Sequence, residues 1–281
     1  MRLLAKGSSG LCFPTWKGPH YFRMIPLKTL PDAKHAPLCT RAISVVIGLV
    51  WLVQLALLFF RQEDLAQVWG VRPACYLHPS SCGVDGFALP SGDLARLGAW
   101  IGSGTGHLFL ALFVSLWLHA DWLHVGFNVL FLLVFGGALE SEMGRLKFVW
   151  LYLTGGLLAA ACHIVFNLSS YAPTIGASGA IAAVLGAHFW RMPRAWVLTY
   201  FPPVFVFPVP SPLFGLLWIG AQVAGAWGNL HLPFMGNAGG SQIAWMAHMG
   251  GFSWGAWTGW RSGKRRGTSA RANVSQVNIG K

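Results

Sequence analysis

The 281-residue chain is predicted to be an all-α polytopic membrane protein, a bundle of six transmembrane helices. Three observations predict it. The composition is 54% hydrophobic and only 10% charged, with 15 Trp and 35 Gly, well outside the soluble range. Six apolar stretches stand between short polar clusters. Of the 20 Lys and Arg, all but Arg61, Arg72 and Arg96 fall on one side of the membrane if the N-terminus is inside. The net charge of +12 is therefore topology information, and nucleic acid is not an expected partner.

Residues 1–23 lack periodicity, and Met24 is an alternative start. The segment from Pro26 to Pro37 reads as a flexible linker. The first span, Ala42 to Phe60, is followed by Arg-Gln-Glu-Asp rather than a small-residue cleavage site, so it is expected to be retained. Cys75 and Cys82 share a polar loop, and either a disulfide or two free thiols fits. Leu108 to Leu118 is too short to span; it dips into the interface or packs on the bundle. The further spans are Trp122 to Leu139, Phe148 to Phe166, Ser178 to Trp190, Leu213 to Leu230 and Ile243 to Trp260. The run from Phe201 to Pro212 is broken by prolines, which remove the donors a spanning helix needs. The glycine-containing connection from Pro233 to Ser241 reads as a lid or a plain connector, and the tail from Gly263 to Lys281 as flexible. Three regions follow: a partly disordered cytoplasmic extension (1–40), a six-helix domain (41–262) and a basic cytoplasmic tail (263–281).

Gly176-Ala177-Ser178-Gly179-Ala180 opens one span and Ala247-His248-Met249-Gly250-Gly251 opens another. Nucleophilic and ionisable groups in hydrocarbon are expensive, so the pair is a candidate Ser/His dyad. Ser178 precedes Arg191 by thirteen residues, and His248 precedes Arg261 by the same number. At 1.5 Å per residue each stands ~20 Å above its anchor, at one depth. Small residues follow on the same faces, Ala182 and Gly186 after Ser178, and Gly251, Gly255 and Gly259 after His248, so the two helices can pack backbone to backbone. His124 and Asn128, four apart on a third span, bring two more polar groups to this layer. In this reading His248 takes the Ser178 proton. The Ser178 backbone N–H, His124 and Asn128 form the oxyanion hole. No carboxylate lies at this depth, which predicts a dyad rather than a triad.

These residues resemble the rhomboid family of intramembrane serine proteases from about Met24 to Gly263. The family's His-x4-His-x3-Asn pattern is met by His119, His124 and Asn128, its GxSG motif by Gly176 to Gly179, and its AHxxGxxxG by Ala247, His248, Gly251 and Gly255. Leu139-Glu140, Gly144-Arg145 and Tyr152-Leu153 also match, as does Met-Ile-Pro-Leu at Met24. The resemblance implies a serine endopeptidase acting on transmembrane segments, with Ser178 as nucleophile, His248 as base, and His124 and Asn128 in the oxyanion hole. It also implies that His119 is a structural histidine and Glu140 a structural acid. Two features depart from the family: no Arg or Lys between Arg96 and Arg145 supplies its Trp-Arg pair, and Ala182 stands where many members stack an aromatic on the base. What orients His248 is thus unassigned. The alternative functions are a catalytically inactive rhomboid-like protein that binds membrane clients and, from another class, a small transporter. The expected partners are transmembrane substrates and the lipid bilayer; the oligomeric state is not legible. No cofactor is expected, and no metal, because no Cys or carboxylate completes a set with His119, His124 and Asn128. The expected location is a bacterial cytoplasmic (inner) membrane with both termini cytoplasmic.

Overall fold

A computed structural model describes residues 24–61, 64–78, 105–201, 204–231 and 244–277. The chain runs β1 (Ile25–Leu30), α1 (Leu38–Arg61), α2 (Leu65–Trp69), α3 (Pro73–Leu77), α4 (Thr105–Val114) with a 3-10 turn at Ser115–Trp117, and α5 (Trp122–Met143). It continues with α6 (Arg145–Phe166), α7 (Ser178–Arg191), β2 (Trp196–Phe201), β3 (Phe205–Pro210), α8 (Ser211–His231) and α9 (Trp245–Val277). By length and composition α1, α5 and α6 qualify as membrane spans. Helix α4 with its 3-10 turn is apolar but short, as its sequence indicates. Helix α7 lies at the centre of the bundle. Every residue from Gly179 to Phe189 is buried, which a helix with no polar face requires. Its 14 residues rise about 21 Å, less than the ~30 Å thickness of a hydrocarbon layer.

The expectation of an all-α chain is corrected by a three-stranded antiparallel sheet in the order β1-β2-β3. Thr29 of β1 faces Val197, and Leu198 faces Pro208 of β3. The prolines obey the rule that an edge strand alone can spare a donor: Pro26, Pro208 and Pro210 sit in the two edge strands, and the central strand has none. The segment after Pro26, expected to be a flexible linker, is thus partly a strand, and the Pro-broken run supplies β3. The sheet is tied to the bundle where Thr29 Oγ1 donates to the Val134 carbonyl at 3.1 Å, inside a π-helical turn of α5 (Leu132–Gly136). Helix α9 continues to Val277, past the expected start of the tail.

Glu140 fastens α1 to α5. Its carboxylate accepts from the Cys39 and Thr40 backbone N–H groups (3.0 and 2.8 Å) and from Thr40 Oγ1 (2.8 Å), satisfying donors that the first turn of α1 leaves unpaired. Cys39 and Cys162 are free thiols, whereas Cys75 is disulfide-bonded. Cys82 and the connection from Pro233 to Ser241 lie outside the described residues.

Candidate active site

Helices α7 and α9 meet backbone against backbone. A methyl group at Gly186 would strike the Phe252 carbonyl of α9, and one at Gly251 or Gly255 would strike the Gly179 or Ala183 carbonyl of α7. The small-residue seams read from the sequence therefore do face each other. Their register brings Ser178 Oγ to 2.8 Å from His248 Nε2. Gly179 serves the same end on another side, where α6 approaches so closely that a side chain would meet Ala159.

The loop before Ser178 is held from several directions. Gly176 N–H donates to the Ser115 carbonyl at 2.9 Å, and Thr174 pairs with Val71. His163 of α6 adds a link: Nδ1 faces the Asn167 amide at 3.3 Å, and Nε2 lies 2.9 Å from Thr174 Oγ1. Gly176 itself has φ +126°, a conformation that disfavours side chains, and a Cβ there would lie 2.7 Å from His124 Nε2. The close approach puts the His124 ring against the turn that leads into Ser178.

Asp121 caps α5 by accepting from the His124 backbone N–H at 2.8 Å, so this nearby carboxylate is committed to helix capping. Ala120 N–H donates to His124 Nδ1 at 3.4 Å, leaving the ring proton on Nε2, the nitrogen turned to Gly176. One turn on, Asn128 is buried, and its Nδ2 has no hydrogen-bond partner among the described residues. His119 lies behind this pair, 5.0 Å from the His124 ring between centroids. Its backbone N–H and carbonyl are clamped by the Gln54 amide of α1 at 2.9 and 3.1 Å, and its Nδ1 donates to the Trp117 carbonyl at 3.2 Å. Burial, reinforced by the neighbouring His124, holds the His119 imidazole far below its usual value, at about 3.

Sequence reasoning missed one residue. Gln222 of α8 is buried, and its Oε1 lies 2.7 Å from His248 Nδ1. The signal available was one of two amides, the other being Asn229, in an otherwise apolar span, four residues after Trp218. The aromatic neighbours of His248, which the sequence left unassigned, come from α8 and α9. With Ala182 at the helix seam, Trp218 and Trp245 lie beside the imidazole at 5.9 and 6.4 Å between ring centroids. Hydroxyl, two-faced imidazole and acceptor are thus in line, an arrangement suited to moving a proton from Ser178 to His248. Among the described residues no group of three metal-binding side chains forms.

A family model described as the Rhomboid domain matches residues 107–265. The chain is similar to Rhomboid protein 1, mitochondrial, of Saccharomyces cerevisiae, at 30% identity over 160 residues, covering 54% of this chain and 41% of that protein. It is similar to presenilin-associated rhomboid-like protein A, mitochondrial, of Danio rerio, at 30% over 150 residues (53% and 36%). The corresponding mitochondrial protein of Mus musculus matches at 29% over 148 residues (52% and 36%). The chain thus spans less than half the length of these relatives. That they are mitochondrial proteins of eukaryotes overturns the expected bacterial cytoplasmic membrane, and with it the assignment of the termini to a cytoplasm.

Proposed function

Because the chain belongs to the rhomboid family, we propose that it is an intramembrane serine endopeptidase that cleaves transmembrane segments of membrane proteins. Ser178 is the nucleophile and His248 the general base. The observation that supports this reading is the 2.8 Å separation of Ser178 Oγ and His248 Nε2. As Oγ attacks the scissile carbonyl, its proton passes to His248 Nε2 and the carbonyl π electrons move onto oxygen. The oxyanion is met by the Ser178 backbone N–H at the start of α7, by His124 Nε2–H and by Asn128 Nδ2. The His124 tautomer and the Asn128 donor, which has no partner among the described residues, favour that role. Collapse breaks the C–N bond, His248 returns the proton to the leaving amine, and water, activated by His248, releases the acyl group.

The proposal includes six spans across residues 41–262, with α7, α8 and the first part of α9 joining α1, α5 and α6. A short α7 fits, since its N-terminus then lies at the depth where an unwinding substrate segment would be cut. The experiment is cleavage of a single-span substrate, with small residues at the intended cut, co-reconstituted in proteoliposomes. The wild type is expected to cleave, and Ser178→Ala and His248→Ala are not. A folded wild type that binds this substrate without cutting it would instead favour an inactive client-binding protein.

A further inference from the structure

Ser178 and His248 form a pair, and no carboxylate completes them among the described residues. Yet an imidazole with two nitrogens has two tautomers, and only the one with a free Nε2 lone pair can accept a proton from Ser178. Something must select it. Gln222 Oε1 lies 2.7 Å from Nδ1, on the side of the ring opposite Ser178. An amide could present either oxygen or nitrogen there, but its other end lies 3.4 Å from the Trp218 carbonyl, one turn earlier in α8. A carbonyl can only accept, so the NH2 of Gln222 must face Trp218 and its oxygen must face His248. That oxygen in turn requires a proton on Nδ1, which leaves Nε2 as the acceptor toward Ser178. The chain of roles is closed, from the Trp218 carbonyl through the Gln222 amide and the imidazole to the Ser178 hydroxyl.

We propose that Gln222 is the positioning residue of the dyad, holding His248 in the Nδ1–H tautomer with its Nε2 aimed at Ser178. This rests on the protease reading given above. It replaces the stacked aromatic that Ala182 cannot provide. Trp218 and Trp245 limit how far the ring can tilt, and among the described residues Gln222 is what distinguishes its two nitrogens. A neutral amide also suits the site, because it gives direction without placing a permanent charge in hydrocarbon. Since Trp218 and Gln222 are both on α8, displacement of that helix would loosen the base.

The test compares Gln222→Met, similar in length but without an acceptor of comparable strength, with Gln222→Glu, which keeps one. A carboxylate orienter in serine-protease triads is worth ~10⁴ in rate. A neutral one supplies orientation only, so Gln222→Met is expected to lower kcat about 10- to 100-fold with KM unchanged. Gln222→Glu should recover most of this and move the acid limb of the kcat/KM profile to higher pH, because an anion at Nδ1 favours imidazolium. The other titratable groups whose charge reaches His248 are His124 on α5 and His163 on α6, and both variants keep them. A readout independent of turnover is the 15N spectrum of labelled His248, expected to report Nδ1–H in the wild type and a tautomer mixture in Gln222→Met. Wild-type kcat and an unchanged tautomer in Gln222→Met would overturn the proposal while leaving the protease reading intact. An inactive wild type with a Gln222-dependent Nδ1–H would sink the protease reading and keep the positioning role. Equal loss in both variants with an unmoved pH profile would make Gln222 merely structural.

Discussion

Replacing Gly255 by Ala tests whether the Ser178–His248 distance is set by the seam between α7 and α9. A Cβ at Gly255 would lie 1.9 Å from the Ala183 carbonyl oxygen. Carbon and carbonyl oxygen approach to about 3.3 Å at closest, so the helices must part by about 1.4 Å. Backbone cannot yield as a side chain can, and Ser178 and His248 ride on the two helices being separated. Added to the 2.8 Å hydrogen bond, that movement leaves the pair roughly 4 Å apart, too far for direct proton transfer. A misplacement of about 1 Å is worth ~10² in rate, and overpacking costs about 1–3 kcal/mol of stability. The assay is the second-order rate of fluorophosphonate modification, measured with Tm in detergent. Gly48→Ala in α1, where no described residue lies within 4 Å of the new methyl, is the control and should keep the wild-type rate with no fall in Tm. A Gly255→Ala protein modified at the wild-type rate with unchanged Tm would refute the reasoning.

Further perturbations reach other parts of the account. Asn128→Ala and His124→Ala should each lower kcat by ~10²–10³ with KM little changed, measured as steady-state cleavage, since both donors act on charge that develops only in the transition state. Glu140→Ala removes the acceptor of three hydrogen bonds at the start of α1 and should lower stability by ~2–4 kcal/mol, read as a fall in Tm. His119, buried with a value of about 3 against an unfolded value of about 6.5, favours the fold as neutral imidazole. Its contribution is complete above about pH 6.5 and is lost as pH falls from there toward 3, amounting to roughly 2 kcal/mol by pH 5. Comparing Tm against pH for wild type and His119→Gln isolates it. Parallel curves would contradict the assignment.

The site was more legible in the sequence than the fold around it. Ser178, His248, His124 and His119 sit in local patterns with fixed spacing, and the glycines of α7 and α9 mark a close seam by their spacing alone. Gln222 escaped because its meaning depends on His248, a partner 26 residues away on another helix, which no helical period brings to it. The sheet escaped for a similar reason. β1 and β2 are about 170 residues apart, and the prolines that exclude Phe205–Pro210 from a helix do not by themselves announce an edge strand. The spans were legible in α1, α5 and α6, where the apolar runs are long. Helix α7 is both short and enclosed by protein, so hydropathy alone understates its place in the bundle. The compartment was not legible at all, since the segregation of Lys and Arg assigns sides and names no membrane.

The most direct test of the central claim is fluorophosphonate labelling of the detergent-solubilised protein, with the adduct mapped by mass spectrometry. The account predicts a single adduct on Ser178 that disappears in both Ser178→Ala and His248→Ala. A folded wild type that takes no label, or one still labelled at Ser178 when His248 is Ala, would contradict it.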